Sequence, residues 1–219
     1  MSQIYFGCMP PGGSGEIFIE MYMGRNSSQS FTKPCALILK EFNGIQLPIH
    51  AYSEPYVVES KKKFGHFRSI DWAKSPDALE HIVNKYTKSD GIWFATYNLD
   101  IFNRVKQHWQ DQVCTVSINY DSTDYDLVVQ KWAEYQAAII LTQPKYQSLN
   151  IVAKDAVDFC KSNRQIFGYE IPKQLYVPAD IEINFKDIYN EQVLKQIISK
   201  LGGHCSDQDW EFYRKFIGI

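Results

Sequence analysis

No two of the five cysteines stand at a C-x-x-C spacing, and an odd number cannot close into pairs. Cys8, Cys35, Cys114, Cys160 and Cys205 are spread over the whole chain. This pattern argues against a disulfide framework and a thiolate zinc site, and leads us to expect a reducing, cytoplasmic setting. No apolar run approaches the roughly 18 residues of a membrane span. No basic stretch followed by an apolar one opens the chain, so no secretion signal is expected. A surplus of one charge sign is missing too. The formal net charge is -2, which gives no global reason to expect nucleic-acid binding. Internal repeats and low-complexity segments are also absent.

What is present is ordinary in bulk and uneven in detail. Of the 219 residues, 45% are apolar and 22% charged, as in a globular domain large enough to bury a full core. The aromatic share, 15%, is high and points to an aromatic-rich core or groove. We expect a single domain over residues 1–219, with residues 190–219 forming a helix pair packed on it.

The chain is organised around its beginning. Ile4, Tyr5 and Phe6 form a short apolar run, residues 7–15 are rich in glycine and proline, and Ile17, Phe18, Met21 and Tyr22 follow at helical spacing. Strand, glycine-rich loop and helix together bring bare backbone N–H groups to a helix N-terminus, where they can cradle a phosphate or sulfate. Residues 7–14 spell G-x-x-x-x-G-G-S, a P-loop signature with Gly13 at the lysine position. Gly12, Gly13, Ser14 and Gly15 are therefore the expected anion-binding residues. The alternative is a tight strand-to-helix turn stiffened by Pro10 and Pro11.

Further along, residues 34–42 read as a short helix or a buried strand, and residues 49–52 as a second strand. Ser75 and Pro76 start a helix carrying Leu79, Ile82, Val83 and Tyr86. Residues 92–96 are a compact apolar run that reads as a buried strand. Asn98 opens a helix with Ile101, Phe102, Val105 and Trp109 on one face. A strand over 113–118 precedes a long helix over 123–141, in which Val128, Trp132, Tyr135 and Ile139 recur at helical intervals. Another helix is expected over 149–161. A strand over 180–188 leads into a helix with Val193, Leu194, Ile197, Ile198 and Leu201 inward. Gly202 and Gly203 stop that helix, and Ser206 restarts a last one with Trp210, Tyr213, Phe216 and Ile217. Strands alternating with helices imply a parallel sheet covered on both faces. Ligands of such sheets bind beyond the C-terminal strand ends, which gathers the loops at 7–15, 96–100 and 119–124.

The opening loop resembles that of the sulfotransferase-like branch of the P-loop fold, which reads G-x-P-[RK]-S-G-T-[TS]. Pro10, Gly13 and Ser14 match its proline, glycine and first hydroxyl, while Pro11 stands at its cation and Gly12 at its serine. The strand at 92–97, the strand at 113–118 and the long helix are similar to the family's order. So is the tail from Ile183 through Leu194 to Gly202 and on to Phe216. The resemblance implies a three-layer α/β/α domain with a mainly parallel sheet. It implies sulfuryl transfer from 3′-phosphoadenylyl sulfate to a hydroxyl or amine, with the loop holding the donor's 5′ sulfate-phosphate group. In the family an arginine and a serine after the 113–118 strand hold the 3′-phosphate. This chain has Asn119, Tyr120, Asp121, Ser122, Thr123 and Asp124 there.

Charge for a bound anion would then come from Lys61, Lys62, Lys63 and Arg68, the chain's one dense basic cluster. The plainer reading of such a run is a solvated surface loop. His66, within that cluster, is the candidate general base, with His50 second. His81 and His108 lie in helical patterns and read as packing or surface residues. Asp121 and Ser14 offer the alternative of a magnesium pair in a kinase-like phosphotransferase using ATP. Asp121, Asp124 and Asp126 also read simply as negative charge at the start of the long helix. A further alternative is a binding or scaffold module whose cation positions have been lost. The expected partner is a nucleotide or another sulfate- or phosphate-bearing small molecule, with neither nucleic acid nor membrane.

Overall fold

The computed structural model describes residues 3–8, 10, 36–42, 45–51, 91–96, 98–168, 170–200, 205–207, 210, 211 and 214. Gly12, Gly13, Ser14, Gly15, Lys61, Lys62, Lys63, His66 and Arg68 lie outside them, as do the expected first helix and the helix begun by Ser75.

Six strands are described: β1 (Gln3–Cys8), β2 (Ala36–Phe42), β3 (Ile45–Ala51), β4 (Gly91–Thr96), β5 (Val113–Asn119) and β6 (Ile181–Asn184). Four helices are labelled here: α1 (Leu99–Trp109), α2 (Tyr125–Thr142), α3 (Ala156–Ser162) and α4 (Glu191–Lys200). β1, β4, β5 and β6 form one parallel sheet in the order β4-β1-β5-β6. The chain is thus of the α/β class, with the opening strand inside the sheet. β1 ends level with β4, where Cys8 pairs with Thr96, while β5 runs past the Cys8–Ser117 pair to Asn119.

β5 is the most deeply covered strand. Val113, Thr115, Val116, Ser117, Ile118 and Asn119 are all buried, which requires cover on both faces. The sequence of β5 alternates to match. Val116, Ile118 and the following Tyr120 enter the main core with Val128 and Trp132 of α2, Cys160 of α3 and Leu194 and Ile198 of α4. Thr115, Ser117 and Asn119 turn the other way, toward hydrogen-bonding partners. On β1, Phe6 stacks on Phe102 of α1 with ring centroids 5.7 Å apart.

α2 is buried around more than one face, at Val128, Trp132, Ala133, Gln136, Ala137, Ala138 and Ile140. Its neighbours account for this, since both α3 and β3 lie against it. Trp210 and Cys205 join the same core, and Lys195 of α4 reaches Asp207 at 2.6 Å. Residues Cys205, Asp207 and Trp210 are thereby tied to α4 and the core.

Several expected elements are redrawn. Within residues 34–42, Ala36–Phe42 form strand β2, which pairs antiparallel with β3 as a separate two-stranded sheet. β3 includes Pro48, which is tolerated because each strand of such a pair is an edge. The long helix starts at Tyr125 rather than 123. The helix expected over 149–161 is broken into a 3-10 turn at Ala153–Asp155 and the short α3. Asn150 is left-handed there (φ 48°) and Val152 is extended, so the helix cannot begin earlier. The strand expected over 180–188 ends at Asn184, and Phe185–Tyr189 is a 3-10 helix. Phe185 and Ile188 are both buried, a three-residue spacing that suits a 3-10 turn and not a strand.

Candidate functional site

From β1 the chain leads to β4 on one side, whereas from β4 and β5 it leads to the other. The strand order therefore reverses between β1 and β5, and the crevice beyond their C-terminal ends is where open α/β sheets take ligands. In the sequence the glycine-rich stretch follows β1, and of it only Gly7, Cys8 and Pro10 are among the described residues. The end of β1 is tightly packed there, since Gly7, Cys8 and Pro10 are all buried. Burial pushes the Cys8 thiol up to about 12, so the loop's cysteine is a packing group and no nucleophile.

A strap, residues 172–180, clamps β5 and returns the chain to the start of β6. Asp180 accepts from the Thr115 N–H at 2.8 Å and from the Thr115 hydroxyl at 2.7 Å, and its own N–H donates back to that hydroxyl at 3.0 Å. The Asn119 carboxamide accepts from the Val177 N–H at 2.9 Å and donates to the Ser117 hydroxyl at 3.1 Å and the Val177 carbonyl at 3.4 Å. Lys106 of α1 caps the Pro178 carbonyl at 2.8 Å.

The direction of Tyr120 follows from this clamp. The Thr115 N–H faces the β6 side, where Asp180 stands. Backbone groups alternate along a strand, so Tyr120 turns its N–H and C=O to the β1 side. Leu175 binds both there, each at 2.9 Å, and the Tyr120 hydroxyl donates to the Pro172 carbonyl at 2.7 Å. The start of the strap therefore stands beyond the end of β1 as a wall of the crevice. Burial, and then the neighbouring Tyr125, push the Tyr120 phenol up to about 12.

Asp121 follows Tyr120 and is exposed. One of its carboxylate oxygens accepts from both the N–H (2.7 Å) and the hydroxyl of Thr123. The Thr123 hydroxyl bond, its N–H bond and the nearby Lys186 together hold Asp121 below the usual carboxylate range. This is a turn-forming role at the entrance to α2. Asp124, at the N-cap of α2, makes no side-chain cap bond. Among the described residues no group of three His, Cys, Asp or Glu side chains is placed to hold a metal.

Two cations reach this edge from distant parts of the sequence. Lys186 follows β6 and acts on Asp121. Arg164 lies in the 3-10 turn after α3, where it donates to the Tyr125 hydroxyl and sits 6.0 Å from the Tyr125 ring centroid. Neither position follows β5 directly, and no local spacing marks either one. Of the histidines considered, His50 lies in β3, outside the parallel sheet. His108 is exposed at the end of α1, edge-on to Trp109, in keeping with a surface role. His66 and His81 lie outside the described residues.

No family model matches the chain, and neither a curated protein nor a solved structure matches it. Among the described residues no helix is long and apolar enough to cross a membrane.

Proposed function

We propose that this chain is a P-loop-type protein of the sulfotransferase-like kind, and that its glycine-rich loop holds a sulfate or phosphate group of a small molecule. One observation supports the reading: β1 lies inside an all-parallel sheet, beside the reversal of strand order, and Gly12, Gly13, Ser14 and Gly15 come after it in the sequence. Backbone N–H groups at such a point neutralise an oxyanion without needing a side-chain cation. In this reading the acceptor is a hydroxyl or amine, and His66 with Lys61, Lys62, Lys63 and Arg68 supplies base and charge.

The residues after β5 do not fit the 3′-phosphate of a nucleotide donor. The Asn119 carboxamide and the Thr123 hydroxyl are already engaged by protein groups. Asp121, Asp124 and Asp126 crowd the same turn, and a carboxylate repels a phosphate. This observation favours a second reading, a binding module that holds an anion without transferring it.

Thermal-shift titrations separate the readings. Sulfate should raise the melting temperature in both. Adenosine 3′,5′-bisphosphate should raise it further, at equal concentration, only for a nucleotide-dependent transferase. Stabilisation by ATP that requires magnesium would instead favour a kinase-like protein. No shift with any of the three at millimolar concentration would sink the anion-binding proposal.

A further inference from the structure

We draw no further inference here: the strongest candidate, the exposed apolar side chains Leu149, Val152 and Ile166 on the surface between α2 and the strap, carries nothing because nothing in the structure shows what covers it.

Discussion

At the scale of single residues, the polar positions of β5 carry more of the argument than the apolar ones. Thr115, Ser117 and Asn119 are buried and alternate with Val116 and Ile118, and the first and last anchor the strap. Hydrogen bonds from Thr115, its N–H first, hold Asp180 below the usual carboxylate range. A lowered pKa means that this contribution is present above the unfolded carboxylate value of about 3.9 and fades as pH falls through the lower folded one. Asp180→Ala should therefore cost about 1–3 kcal/mol at pH 7, through the unpaired Thr115 N–H. Chemical denaturation of both proteins across pH 2–7 checks this, and the gap should narrow toward the acid end. Burial likewise pushes the Cys8 and Cys160 thiols up to about 12. Iodoacetamide at pH 8 should leave both unlabelled in the folded chain and label both once it is unfolded, by peptide mass mapping. Rapid native labelling of Cys8 would contradict the packed end of β1.

At the scale of elements, α2 is the piece on which the core closes. Trp132 is fully buried and meets Phe167 edge-on at 5.3 Å, while its indole N–H has no partner among the described residues. Trp132→Ala should destabilise by about 3–5 kcal/mol. Trp132→Phe should cost clearly less, because it keeps most of the ring and removes an unsatisfied donor. Equal losses in urea titrations would contradict that packing. Helix α2 was legible from Val128 and Trp132, since a long amphipathic stripe survives most tertiary contexts. The hairpin was harder, although Phe42 pairs with Ile45 across Asn43 and Gly44, a residue pair that favours tight hairpins. Asn150 hid the true start of α3, because one left-handed residue breaks a helix that apolar spacing alone would continue.

At the scale of the whole molecule, the class of the fold was readable because apolar strands alternate with amphipathic helices. The placement of β1 between β4 and β5 was not, since strand order depends on crossovers that no local pattern records. The same holds for the site. In the proposed reading the glycines mark where an anion would sit, whereas Lys186 and Arg164 come to Asp121 and Tyr125 only through tertiary contact. Their spacing from β5 in sequence is too long for any motif to capture. Polar residues alternating inside an apolar strand were the one local sign of the strap, and Thr115 and Asn119 gave it.

The central claim is that the crevice beyond β1 and β5 is an anion site. Hydrogen exchange of the intact chain, with and without saturating sulfate at constant ionic strength, tests it most directly. The account predicts slowed exchange in peptides covering residues 7–24 and 119–128, with the β2–β3 hairpin unchanged. Unaltered exchange in both segments, or protection confined to the hairpin, would contradict it.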